Sequence, residues 1–127
     1  MEVPKIIFTE KAPKPIGPYS QAVMRGNALF VSGQIAINPA TGQIDSSSIE
    51  NETKQVMENI QAIVEQAGMK MSDVAKASIF LSDMNNFGKV NKVYGTYFPS
   101  NPPARETVQV SVLPKKVNVE ISVIAIK

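Results

Sequence analysis

Residues 117–126, the last strand-like segment of this 127-residue chain, constrain its fold more than any other segment. Its first apolar residues occupy every second position, which is the pattern of a β-strand that buries one face. These residues are Val117, Val119, Ile121 and Val123. Ile124 and Ile126 then make the second face apolar as well. A strand of this kind is expected to be buried on both sides, within a sheet that is covered on both faces.

Five further segments have the composition of strands. They are residues 6–8, 21–25, 28–34, 74–82 and 105–113. Gly26 and Asn27 separate the second of these segments from the third, and both residues tolerate a positive φ, so the pair predicts a β-hairpin. Residues 38–42, Asn-Pro-Ala-Thr-Gly, predict another turn.

A long amphipathic helix is predicted over residues 49–67, where the apolar side chains keep to one stripe. The stripe consists of Ile49, Val56, Ile60, Ile63, Val64 and Ala67. Ser47 followed by Glu50 predicts a capping box at the start of the helix. Gly68 stands where a left-handed residue ends many helices.

A second helix is predicted before Pro99, with Asn85 or Asn86 as its N-terminal cap. Its apolar face consists of Phe87, Val90, Tyr94 and Phe98. The order of elements then predicts one α+β domain over residues 1–127, with six strands in a sheet and both helices on one face. Self-association is the simplest cover for the other face.

The chain contains neither cysteine nor histidine, and this absence removes several classes of function. Without cysteine there are no disulfides or thiol nucleophiles, which fits a reducing, cytoplasmic compartment. Without histidine the commonest metal ligand and the commonest general base near neutral pH are also missing. Serine-triad and zinc-protease chemistry are therefore excluded, and we predict neither a metal nor a cofactor.

The charge distribution argues against a nucleic-acid partner. The net charge of +2 comes from 13 basic and 11 acidic residues, and only two of the basic residues are arginines, Arg25 and Arg105. The lysines are scattered, apart from Lys115 and Lys116, and do not form a basic stripe with interleaved aromatic residues. No apolar run approaches the roughly 20 residues that cross a bilayer, so no membrane contact is predicted.

Two charged residues are placed where they could carry chemistry. Arg105 follows a stiff Pro-Pro-Ala segment and starts a strand, so its guanidinium could clamp a carboxylate through two parallel hydrogen bonds. The alternative is a structural ion pair or a solvated strand end. Glu120 shares a strand face with Ile124 and Ile126, where burial would suit it to orient water or move a proton. The alternative is a solvent-facing glutamate.

Several uncharged residues are weaker candidates. Asn91 lies on the apolar stripe of the second helix, where its amide needs partners, and it either lines a site or ties the helix to a loop. Tyr19 has the features of a packing residue with its hydroxyl at the surface. Gly33, next to Ser32, interrupts an apolar strand, which marks either a close backbone approach or a bulge.

As an ordered set, these residues fall within the motifs of a known family. The motifs are Ile16-Gly-Pro-Tyr-Ser20, Val31-Ser-Gly-Gln34, Asn38-Pro-x-Thr-Gly42, the Asn91 helix, Pro103-Ala-Arg105 with Thr107-Val-Gln-Val110, Leu113-Pro, and Val119-Glu-Ile121. Through them nearly the whole chain resembles the Rid (reactive intermediate deaminase) family, particularly its RidA branch. Each motif is weak alone, and the combination is highly specific.

The resemblance implies a chorismate-mutase-like α+β fold with a six-stranded mixed sheet, which trimerises through the sheet face opposite the helices. It implies clefts between subunits in which Arg105 binds a substrate carboxylate, Glu120 positions the hydrolytic water and Tyr19 closes the pocket. The remaining wall would consist of Ser32, Gly33, Asn91 and the backbone around Thr107. The family position of Thr107 is often cysteine, so any role that depends on a thiol is absent here.

The reaction that the resemblance implies is hydrolysis of 2-iminobutanoate or 2-iminopropanoate to a 2-oxo acid and ammonia. One alternative is an RNA-binding or endoribonucleolytic protein, which the scattered lysines and the 6% aromatic content disfavour. The other alternative is a non-catalytic ligand-binding or chaperone-like trimer. The presence of both Arg105 and Glu120 favours the enzyme over that second alternative.

Overall fold

The computed structural model describes residues 4–127, in which two helices cover one face of a six-stranded sheet. The elements are β1 (Lys5–Ile7), β2 (Ala22–Arg25), β3 (Ala28–Gln34), α1 (Ile49–Gln66), β4 (Val74–Leu81), α2 (Phe87–Gly95), β5 (Ala104–Gln109) and β6 (Val119–Ile126). The strand order is β1-β2-β3-β6-β4-β5, with β4 and β5 parallel and all other neighbours antiparallel. The predicted α+β fold with a mixed sheet is confirmed.

Both predicted turns are present. β2 and β3 form the hairpin, with Arg25 opposite Ala28 and Gly26 at a φ of 57°. At the second turn the amide of Gly42 donates a hydrogen bond to the carbonyl of Asn38 at 2.8 Å. The hairpin sets the register of β3 against β2, and β3 carries part of the candidate site.

The last two strands are shorter than their apolar alternation predicts. β5 ends at Gln109 because its partner β4 ends at Leu81, which leaves the following valines without a strand to pair with. The chain then turns through a 3-10 segment at Pro114–Lys116, where Lys115 and Lys116 have φ values of 55° and 56°. β6 therefore begins at Val119 instead of residue 117.

The amphipathic helix α1 forms as predicted, with a different cap. The hydroxyl of Ser48, and not that of Ser47, accepts a hydrogen bond from the amide of Asn51 at 3.0 Å. Ser47 instead donates to an aspartate two residues earlier, so the predicted capping box with Glu50 is wrong. Gly68 has the predicted left-handed conformation, at a φ of 80°.

Helix α2 connects the parallel strands β4 and β5 and begins after a 3-10 turn at Met84–Asn86. Asp83 caps this turn, since its carboxylate accepts from the amide of Asn85 at 2.9 Å. Asn86 occupies the N-cap position of α2, as predicted, but its side chain makes no capping hydrogen bond. Three of the predicted apolar side chains are buried: Val90, Tyr94 and Phe98. Phe87 remains 38% exposed.

The sheet face opposite the helices is covered only in part in one chain, by a small second core that packs against Phe80. The residues of β6 that face the helices are fully buried, whereas Ile124 on the other face is half-buried and Ile126 is 48% exposed. The expected burial of β6 on both sides is thus met on one side only. Phe30 on β3 lies opposite Ile124 and is 46% exposed, and Ile6 on β1 is 66% exposed. We call the surface formed by these four residues and their neighbours on this side of the sheet the open face.

Candidate functional site

Four of the seven predicted site residues lie together. Tyr19, Ser32, Gly33 and Glu120 line one cavity of about 410 Å³, here called the Glu120 pocket. Ile16 and Pro114 complete its wall. Ser32 is held in place because its hydroxyl donates to the carbonyl of Ser20 at 2.6 Å and its amide donates to the carbonyl of Gln21 at 2.9 Å.

Gln21 fixes the proline-rich segment that leads to Tyr19 and the Glu120 pocket, a role that no sequence pattern indicated. Its side chain is 2% exposed, accepts from the amide of Thr9 at 2.8 Å and donates to the carbonyls of Thr9, Ala12 and Pro13. The segment that Gln21 holds does not pair with a strand of the sheet, so these hydrogen bonds place Tyr19 at the pocket. The hydroxyl of Tyr19 accepts from the amide of Ile16 at 3.3 Å.

Glu120 is the second residue of β6, and its carboxyl group lies against the backbone of Gly33. The side chain is half-buried, and burial raises its pKa above the usual range of a glutamate. Among residues 4–127 no group donates a hydrogen bond to this carboxylate, so it is available to a water molecule or a ligand in the pocket.

We expect Gly33→Ala to lower by about tenfold the rate of any reaction in which Glu120 takes part, because small displacements of a reacting group have large effects on rate. A Cβ at this position would lie 2.9 Å from Cδ of Glu120, so the flexible carboxyl end must move aside. The fold should survive, since the three atoms nearest to the added Cβ all belong to the Glu120 side chain. Gly95→Ala is the matched control, because a Cβ there meets nothing within 4 Å. Equal kinetics and equal melting temperatures in the two variants would contradict this account of Gly33.

Arg105 lies apart from the Glu120 pocket, beside α2. Its Cζ atom is 5.0 Å from the ring centroid of Tyr94 and 5.6 Å from that of Phe87, which is cation–π geometry. Arg105 forms no ion pair within the part of the chain that the structure describes, where the ion pair present joins Lys76 and Glu106. The structural ion pair considered above is therefore not seen, and the guanidinium donors remain available to a ligand.

Two hydroxyl groups near Arg105 are buried without a hydrogen-bond partner among residues 4–127. They belong to Tyr94, whose ring contacts the guanidinium, and to Thr107, two residues along β5 on the same side. Burial raises the pKa of Tyr94, and the positive charge of Arg105 opposes that shift. Buried hydroxyls normally have partners, and the described residues supply none to these two. Asn91 lies on α2 one turn from Tyr94 and adds an amide to the same region.

Arg105 and Glu120 belong to opposite faces of the sheet. Arg105 pairs with Ala77, whose side chain is buried on the helix side. Glu120 pairs with Phe80, three residues further along β4 and therefore on the open face. One chain thus carries two separate half-sites: one with Arg105, Thr107 and Asn91, and the other in the Glu120 pocket.

Residues 4–127 contain neither a metal-binding cluster of side chains nor a membrane-spanning helix. In that range no group of three or more acidic side chains is placed to hold a metal ion. No helix of the described chain is long and apolar enough to cross a membrane. A further cavity of about 460 Å³ lies beside α1 and contains none of the predicted site residues.

Comparison with known proteins identifies the family of the chain. The family model described as endoribonuclease L-PSP matches residues 9–127. A RutC family protein of Pyrococcus horikoshii is 55% identical over 97% of this chain and 98% of its own length. The mouse 2-iminobutanoate/2-iminopropanoate deaminase is 43% identical over 97% of this chain and 91% of its own. The crystal structure of Escherichia coli TdcF with bound serine superposes with a TM-score of 0.93 at 41% identity, covering 97% of this chain and 98% of that one.

The chain belongs to the endoribonuclease L-PSP family, known also as the Rid family. The resemblance inferred from the sequence motifs is therefore confirmed at the level of the family. Relatives with more than half of their residues identical carry only the name RutC family, whereas the mouse relative is named for imine hydrolysis.

Proposed function

We propose that this protein is a hydrolytic deaminase of small 2-imino acids and that its site forms between two subunits. The observation that carries the proposal is the Arg105 guanidinium, which two aromatic rings support while no carboxylate among residues 4–127 pairs with it. A carboxylate next to the imine carbon of a substrate is a suitable partner. The names of the mouse deaminase and of the serine-bound TdcF structure support a small carboxylate ligand of this kind.

A homotrimer is the proposed assembly, because it both covers the open face and completes the site. In this arrangement the half-site with Arg105 on one subunit adjoins the Glu120 pocket of its neighbour. The unpartnered hydroxyls of Tyr94 and Thr107 support the idea, since they then lie at the junction. The alternating faces of the sheet prevent a single chain from presenting both charged groups to one small molecule.

In the proposed reaction Arg105 and Asn91 hold the substrate, and Glu120 of the neighbouring subunit accepts a hydrogen bond from water. The water oxygen forms a bond to the electrophilic imine carbon as its proton passes to Glu120. The nitrogen of the protonated imine becomes an amine in this step. Glu120 then gives the proton to this nitrogen and takes the remaining proton of the new hydroxyl group as the C=O bond forms and the C–N bond breaks, so the products are a 2-oxo acid and ammonia. A carboxyl with a raised pKa suits both transfers, and orientation supplies the rest of the acceleration.

The test is to generate 2-iminobutanoate with a threonine dehydratase and follow its lifetime by semicarbazide trapping. The proposal predicts that the wild-type protein shortens this lifetime and accelerates formation of 2-oxobutanoate. Saturable binding of 2-oxobutanoate without any acceleration would identify a non-catalytic member of the family. An RNA-directed activity predicts instead a salt-sensitive affinity that falls when Lys115 and Lys116 are replaced.

We expect Phe30→Glu to convert the assembly into monomers and to abolish imine hydrolysis. Phe30 is 46% exposed in one chain, and a carboxylate there would be buried without a partner in a trimer formed through the open face. Light scattering measures the mass, and the trapping assay measures the activity. Lys54→Glu, on the solvent side of α1, also introduces a carboxylate, with a larger change of charge, away from the open face and should leave both unchanged. A trimeric, active Phe30→Glu protein would contradict the proposed interface.

A further inference from the structure

Glu52 is the one charged side chain that is buried within residues 4–127, and the proposed reaction does not use it. It lies on α1, is 1% exposed and accepts three hydrogen bonds. Oε2 accepts from the backbone amides of Asn118 at 2.8 Å and Val119 at 3.0 Å, and Oε1 accepts from Nδ2 of Asn118 at 2.9 Å. A buried carboxylate is unfavourable without such partners, so its place in the core needs a reason.

The reason lies in the pairing of β3 with β6. These strands pair from Ile121 onward, and their register shifts between Val31 and Gln34. The first residues of β6 therefore have no partner strand on the β3 side, and the Glu120 pocket opens at this break. A buried backbone amide such as that of Val119 still needs an acceptor, and Glu52 supplies one in place of the missing strand.

We propose that Glu52 is a positioning residue for Glu120. By clamping the two residues that precede Glu120, it fixes the direction in which the Glu120 carboxyl enters the pocket. Glu52 acts from the helix side of β6, whereas the Glu120 side chain lies on the other side, so Glu52 touches no ligand. This role rests on the proposed function of Glu120.

Three variants separate a positioning role from a general loss of stability. Glu52→Gln keeps one oxygen, which can accept from both backbone amides, while the side-chain amide of Asn118 turns to meet the new amide group. Glu52→Leu removes every acceptor. Ile63→Ala is the control, because Ile63 is equally buried but lies about 16 Å further along α1 at the normal helical rise.

The primary measurement is a ¹³C NMR titration of the Glu120 carboxyl in all four proteins. Tyr19, which lines the Glu120 pocket, and Lys14, which lines a smaller cavity that also touches Glu120, stay unchanged. In Glu52→Leu we expect the midpoint to fall toward that of an ordinary glutamate, because a loosened strand admits water. The wild type, Glu52→Gln and Ile63→Ala should share the raised midpoint. For 2-iminobutanoate, Glu52→Leu should lower kcat about tenfold and leave KM, which depends on Arg105, within about twofold.

An unchanged midpoint and an unchanged kcat in Glu52→Leu would overturn the proposal. A shift in Glu52→Gln equal to that in Glu52→Leu would also overturn it, since the charge of Glu52 and not its hydrogen bonds would then be responsible. If the wild type hydrolyses no imine, the proposed function fails on its own, and the titration of Glu120 still decides the role of Glu52.

Discussion

Replacing Arg105 by lysine is expected to lower kcat/KM for 2-iminobutanoate by about 100-fold, although the charge is kept. An ammonium group cannot form two parallel hydrogen bonds to a carboxylate, and it stacks less well on the rings of Phe87 and Tyr94. The loss should appear in both KM and kcat, because the anchor both binds the substrate and sets the imine carbon opposite the water. Steady-state kinetics with imine trapping measures both KM and kcat.

Arg25→Lys is the matched control, because Arg25 is the other arginine of the chain and lies exposed at the hairpin. It should leave activity and assembly unchanged. Light scattering should also give the Arg105→Lys protein the mass of the wild type. If the Arg105→Lys protein keeps both the mass and the kinetics of the wild type, Arg105 is not the carboxylate anchor.

Replacing Glu120 by glutamine is expected to lower kcat by about 100- to 1,000-fold, the usual contribution of a positioned acid or base. The amide keeps the size of the side chain and cannot take a proton from water. If the carboxylate is the active form, kcat rises as pH increases through its pKa in the complex. Burial raises that pKa, so the rise should lie at higher pH than for an exposed glutamate. Glu120→Gln should remove this limb of the pH profile.

A matched control is Glu50→Gln, in the exposed first turn of α1. It should retain the wild-type rate and pH profile. A Glu120→Gln protein that kept the acidic limb would show that another group activates the water. Equal binding of 2-oxobutanoate by both variants would place any loss in the chemical step.

The sequence predicts the elements of this fold because their patterns are local. The period of α1 and the alternation along β6 can be recognised without knowing which segments pair. The N-terminal cap of α1 is harder to predict, because Ser46, Ser47 and Ser48 are chemically equivalent candidates. Which of them caps the helix depends on the path of the chain before the helix. The length of β5 was missed for a related reason, because its end depends on where β4 ends.

The site was predictable only in part, because its division between two faces depends on non-local pairing. Motifs identify Arg105 and Glu120 as candidates, but only the registers with β4 reveal that they lie on opposite sides of the sheet. In the sequence Glu52 lies among polar residues, which is typical of the solvent-exposed side of a helix. Its burial is explained only by the break in the pairing of β3 with β6. Gln21 was missed likewise, since a glutamine at the start of a strand carries no signal of burial.

The most direct test of a deaminase site shared between subunits is to mix two inactive variants. Arg105→Ala and Glu120→Gln proteins are unfolded together in equal amounts, refolded and assayed by imine trapping. In a mixed trimer, a site is complete wherever an intact Arg105 meets an intact Glu120 on its neighbour, so about one quarter of the wild-type activity should return. If the mixed assemblies form but remain as inactive as their parents, while the wild type treated in the same way is active, the site lies within one chain and the account is wrong.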